Sequence, residues 1–164
     1  MQHVLTGFGV FLGVVAGTLV TLLVQWVKGW VNQKKRRRDF KFELEFNVAK
    51  LDKWIEFITE WRNAVNSETM VSFWRYFDLS RVLSSAANEL LVSGVLYRLL
   101  DHEDIAKLQK IFGDLSPNGE QYMNNQVSQD KSNFDKSQAT MHVDYWERLF
   151  KDHRDTLAAL QKKL

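Results

Sequence analysis

Two groups of polar side chains in this chain have types and spacing suited to holding an anion or a nucleobase. Ser80, Ser84 and Asn88 recur every fourth residue, with Arg81 and Ser85 alongside. On a helix that spacing gathers them on one face, where small hydroxyls let a phosphate approach and Arg81 offers a forked pair of donors. The second group is Gln121, Tyr122, Asn124, Asn125 and Gln126, with Lys131 and Lys136 beyond it. A carboxamide presents a donor and an acceptor together, which matches an adenine edge, and an aromatic ring stacks on a base face. Each group also has a plainer reading. Ser and Ala permit close helix packing, and a stretch rich in Asn and Gln serves as a solvated surface. The ligand-binding candidates are therefore Arg81, Ser84, Asn88, Tyr122, Asn124, Asn125 and Lys131.

Catalytic patterns are absent. His3, His102, His142 and His153 are scattered, and none belongs to an HExxH array. His102 sits in Asp101-His102-Glu103-Asp104, which reads as an acidic helix start. His142-Val143-Asp144 and His153-Arg154-Asp155 have ordinary helix-surface spacings. There is no GxSxG, Walker loop or GxGxxG. The expectation is a protein that is not an enzyme and carries no cofactor or metal. With no cysteine in the chain, disulfides and Cys-ligated metals are ruled out.

The elements that position these groups begin with an apolar run. Residues 4–27, VLTGFGVFLGVVAGTLVTLLVQWV, hold no charged side chain. As a helix this run would reach roughly 36 Å, enough to cross a hydrocarbon core of roughly 30 Å with some tilt. A cleaved signal peptide carries its positive charge before a shorter apolar stretch; here the charge follows, at Lys28, Lys34, Lys35, Arg36, Arg37 and Arg38. The span reads as a permanent anchor, and the positive-inside bias puts the carboxy-terminal bulk in the cytoplasm, with the amino terminus outside. Trp26 and Trp30 stand where an interfacial aromatic belt would. Gly9, Gly13 and Gly17 form a double GxxxG continued by Thr21 and Gln25, a stripe through which membrane helices approach closely and self-associate. The basic run Lys34, Lys35, Arg36, Arg37 and Arg38 is a topology signal that can also meet anionic lipid headgroups.

Residues 42–164 carry 15 Lys and Arg against 19 Asp and Glu, so this part is mildly acidic and not built to coat DNA. A helix is expected over 39–66, with a heptad-like seam of Leu44, Val48, Leu51, Ile55, Ile58 and Val65. Phe42, Phe46, Trp54, Phe57 and Trp61 fall off that seam, so the helix is expected to bury more than one side and to contribute to an oligomer core. Asn66 and Ser67 cap a next helix with Phe73, Trp74 and Phe77 on its apolar face. Asp78 opens a helical stretch to about Leu100. Asp101 caps a short helix ended by Gly113, and Ser116-Pro117 restarts the chain. Residues 118–138 hold few large apolar side chains and read as a loop or polar surface, helical or not. A last helix spans about 139–163 with a stripe of Trp146, Leu149, Phe150, Leu157 and Leu160. The predicted class is all-α: a transmembrane anchor in 1–30, a basic juxtamembrane segment in 31–38, and a small helical cytoplasmic domain in 39–164.

The glycine-striped anchor (FGVFLGVVAGTLVTLLVQW), the KKRRR junction and the small helical domain together resemble the membrane-anchored effectors of type III CRISPR systems. The likeness spans the whole chain, and no short binding motif of that group transfers onto these positions. The resemblance implies an antiviral-defence protein of the bacterial inner membrane, a homotetramer that binds cyclic tetra-adenylate. It further implies that the anchors then open a pore or disrupt the membrane. The rival reading is a membrane-anchored scaffold recruiting a cytoplasmic protein. A constitutive, holin-like pore former ranks last, because simple lysis needs no folded domain of this size.

Overall fold

A computed structural model describes the backbone from Gln2 to Leu164 and the side chains of residues 17–164 except Ser80. It is all-helical. Six α-helices follow one another: α1 (Gln2–Asn66), α2 (Ser85–Val92), α3 (Leu96–Leu99), α4 (His102–Asp114), α5 (Pro117–Ser132) and α6 (Lys136–Lys163). Single 3-10 turns at Met70–Ser72 and Leu79–Arg81 interrupt the segment between α1 and α2. The chain forms two compact units, residues 1–38 and 39–164, divided within α1.

In the first unit, no helix is long and apolar enough to cross a membrane among the described residues. Residues 4–16 of the apolar run lie outside the described side chains, and Gly9 and Gly13 with them. Within the described part, Leu19, Val20, Leu22, Leu23 and Trp26 are exposed.

The second unit is built on the carboxy-terminal half of α1. Phe40, Leu44, Asn47, Leu51, Trp54, Ile58, Trp61 and Val65 are spaced four and three apart and are all buried. That 4-3 alternation keeps one stripe of a helix turned toward a single partner surface. The seam expected from the sequence is thereby shifted. Trp54 and Trp61 lie on it, Val48 and Ile55 flank it half-buried, and Phe42 is exposed on the far side. The stripe packs into its own chain's core, with Phe73, Phe77, Leu90, Leu108, Ile111, Met123, Trp146, Phe150 and Leu157 in the same cluster. Phe77 sits at its centre, its ring 6.1–6.4 Å from those of Phe57, Trp61 and Phe150.

Local signals set several ends. Asp101 accepts a hydrogen bond from the Asp104 N–H at 2.8 Å and starts α4. Ser116 accepts from Gly119 N–H, and Pro117 occupies the first turn of α5. Asp135 does the same for α6, accepting from Gln138 N–H at 3.0 Å, so that helix begins three residues before the expected start. The polar stretch 118–138 is largely helix α5, with Met123, Val127 and Asp130 as its buried residues.

Two expectations fail. Residues 73–78 form no helix; the chain leaves the 3-10 turn in an extended conformation at Phe73, with Phe73 and Phe77 buried and Trp74, Arg75 and Tyr76 outside. A burial spacing of four would also suit a helix; what holds this stretch out of one is a tertiary contact, since the Asn124 carboxamide takes both the N–H and the carbonyl of Phe77. The single helix expected from Asp78 to about Leu100 is instead a 3-10 turn, a loop and the two short helices α2 and α3. Gly94 separates them with φ +72°, a left-handed conformation that glycine adopts without strain.

Candidate functional site

The Ser/Asn group at 80–88 does not share a helix face. Arg81 ends a 3-10 turn, Ser84 precedes α2 and Asn88 lies within it. Arg81 is exposed and paired with Asp78 at 2.5 Å. The first turn of α2, where an anion would find free N–H groups, already holds one. The buried Glu43 carboxylate of α1 accepts from Ala86 N–H at 2.8 Å and from Ala87 N–H at 3.1 Å. One turn along α1, Asn47 accepts from Leu83 N–H at 2.9 Å and donates to the Leu83 carbonyl at 2.7 Å. These two inward-facing residues were not anticipated. An acid and an amide four apart on a seam are the signal that could have found them, because burial obliges such groups to find partners.

The amide group at 121–131 divides by face of α5. Asn124 repeats the device of Asn47 on another peptide: it accepts from Phe77 N–H at 3.1 Å and donates to the Phe77 carbonyl at 2.8 Å. Its donor–acceptor pair therefore reads a backbone rather than a base. Gln126 accepts from the Trp146 indole at 2.6 Å. Tyr122 is exposed on another side, 6.1 Å from Trp146, and lines a separate hollow of about 330 Å³ with Gly119 and Tyr145.

Asn124, Asn125 and Lys131 do come together, and with residues not anticipated. They line an open groove of about 340 Å³ between the non-helical segment 73–76 and α5, whose other walls include Trp74, Arg75, Tyr76 and Ser128. Trp74 is 81% exposed, and the Lys131 ammonium sits 4.0 Å from its ring centre. Among the described residues Lys131 has no carboxylate partner. Arg75 is held by Glu60 through two hydrogen bonds of 2.7 and 3.0 Å and stacks 4.7 Å from Phe57. That hydrogen-bonded pairing draws the Glu60 carboxyl below its usual range. Tyr76 donates to Glu120 at 2.6 Å, which pushes its phenol up. An exposed indole, a cation above it and an exposed carboxamide beside it together offer stacking, charge and an edge for hydrogen bonding.

No family model, curated protein or solved structure matches this chain.

Two histidines read as surface residues are instead buried. His142 Nδ1 lies 2.9 Å from the buried Asp130 carboxylate, and burial pushes that carboxyl up against the pull of His142. His153 Nε2 lies 3.1 Å from Asp114, and burial draws His153 down despite that neighbour. Neither pair lines the groove at Trp74: His142 and Asp130 are interior, with one Asp130 carboxylate oxygen left without a hydrogen-bond partner among the described residues, while Asp114 is half-exposed at the edge of the Tyr122 hollow.

In the apolar run at 4–27, a side chain added at Gly17 would meet nothing within 4 Å, and Thr21 donates its hydroxyl to the Gly17 carbonyl at 2.8 Å. Gly17 thus leaves an open notch, and Thr21 satisfies its own polar group inside the helix.

Proposed function

We propose that this chain is a membrane-anchored effector of antiviral defence, with no enzymatic step of its own. In this reading residues 4–27 anchor it, with the amino terminus outside the bacterial inner membrane and residues 39–164 in the cytoplasm. The helical unit binds a cyclic oligoadenylate, cyclic tetra-adenylate first among them. Self-association of the anchors, as a homotetramer, opens a pore or disrupts the membrane when the ligand is bound.

The observation that carries the reading is the groove at Trp74 and Lys131. An exposed indole is a stacking surface for a nucleobase, worth about 1–3 kcal/mol per base. Lys131 supplies charge for a phosphate, and Asn125 supplies an amide that, unlike Asn124, is exposed. A ligand with four bases and four phosphates suits a symmetric assembly, in which each subunit offers the same few residues. Arg81, Ser84, Asn88 and Tyr122 lie outside this groove, so they are secondary candidates. For ligand binding to act on the anchors, it must favour one anchor arrangement over another.

Titration calorimetry of cyclic tetra-adenylate into the detergent-solubilised full chain tests the proposal, with linear oligoadenylate as control. Tight binding of the cyclic form, weakened about ten-fold or more by Trp74→Ala, is the expected result. A scaffold for a protein partner is the second reading, favoured by the exposed Val71 and Trp74. Absence of heat with the folded wild-type chain would move the assignment there.

A further inference from the structure

We infer that one face of α1, built by Trp30, Lys34, Lys35 and Arg38, is a docking surface for anionic phospholipid headgroups. The inference rests on the membrane reading above and adds which cations meet the lipid. By sequence the five basic residues at 34–38 form one undivided run. The structure divides them. Trp30, Val31, Lys34, Lys35 and Arg38 line a single open groove on one side of the helix, while Arg36 and Arg37 do not line it. Their positions fall at i, i+1, i+4, i+5 and i+8, the spacing that keeps side chains on one helical face.

The chemistry of the face is that of a bilayer interface. Trp30 and Val31 are exposed apolar groups, continuous with exposed Val27 and Trp26 one turn earlier. An indole prefers the headgroup level, where its ring lies in the apolar layer and its N–H in the wet one. Lys34 sits over the Trp30 ring with its ammonium 5.5 Å from the centroid. Long basic side chains lay their methylenes along apolar surface and hold their charge at the water side. The basic side chains of Lys34, Lys35 and Arg38 on this face give a surface complementary to lipid phosphates bearing net negative charge.

The test uses the full chain reconstituted into vesicles of phosphatidylcholine alone, or with about one-third phosphatidylglycerol, where the surface potential attracts basic side chains. Quenching of tryptophan emission by brominated phosphatidylglycerol, relative to brominated phosphatidylcholine, gives the lipid preference at the Trp26 and Trp30 level. An anionic preference of about five-fold is expected, from the stabilisation per cation near such a surface. Lys34→Gln/Lys35→Gln brings the ratio close to one, while Arg36→Gln/Arg37→Gln removes the same charge and keeps most of it. A wild-type ratio of one, or equal loss in the two double variants, overturns the inference while leaving the anchor reading intact. Flotation after an alkaline wash tests the anchor separately. If the chain washes off both vesicle types, the anchor reading fails. The docking face then stands only if flotation at neutral pH requires both phosphatidylglycerol and the Lys34/Lys35 pair. Equal or stronger capture by duplex DNA, lost in the same double variant, would assign the face to nucleic acid and overturn the lipid proposal.

Discussion

Two points of the segment between α1 and α2 are held by the same device yet open onto different surroundings. At Leu83 the carboxamide of Asn47 takes both the N–H and the carbonyl of one peptide residue, and at Phe77 the carboxamide of Asn124 does the same. Around Leu83 the polar neighbours turn inward. Glu43 caps α2, and Asn47 is fully buried. Around Phe77 the neighbours turn outward, with Trp74, Arg75 and Tyr76 exposed beside Asn125 and Lys131. A clamp that closes a seam and a clamp that holds a groove open are the same chemistry. What differs is whether the flanking side chains find partners inside the fold or remain available to a ligand.

The largest effect is expected where the clamp is most buried. Asn47→Ala leaves two backbone groups of Leu83 without partners, and stability falls by about 2–4 kcal/mol in denaturant unfolding. A loss below about 0.5 kcal/mol would mean that water replaces the amide and that the seam is not closed. The second effect separates two adjacent residues of one type. Asn124→Ala costs about 1–3 kcal/mol for its lost pairing with Phe77, whereas Asn125→Ala stays within about 0.5 kcal/mol because its side chain is exposed. Equal stability losses at the two positions would erase the distinction between clamp and groove. The smallest concerns Arg81. Its ion pair with Asp78 is exposed, so Arg81→Gln shifts the unfolding midpoint by no more than about 0.5 kcal/mol and leaves ligand titration unchanged. A marked loss of affinity in that variant would return the 80–88 region to the site.

Much of the fold is legible where a local cap and a periodic stripe agree. Asp101, Ser116-Pro117 and the stripe of Trp146, Phe150, Leu157 and Leu160 each report their helix through near-neighbour chemistry. The segment 73–78 is not legible that way. Phe73, Trp74 and Phe77 have a spacing compatible with a helix, and what holds them out of one is a hydrogen-bonding partner 47 residues away, Asn124. The same distance hides half of the candidate site. Asn125 and Lys131 show their chemistry in the sequence, but Trp74 and Arg75 join them only because the segment 73–76 lies along α5. His142 and His153 look like surface residues for a related reason, since their carboxylate partners lie 12 and 39 residues off.

The exposure of Trp74 has an optical consequence. In residues 39–164 tryptophan occurs at positions 54, 61, 74 and 146, and all but Trp74 are shielded in the core. A soluble quencher such as acrylamide or iodide therefore reaches that one fluorophore in this unit. Iodide, being anionic, is drawn further by the ammonium above the ring. The unit carries its own dye at the mouth of the groove, and any occupant that covers the indole will dim or shift its emission without a label being attached.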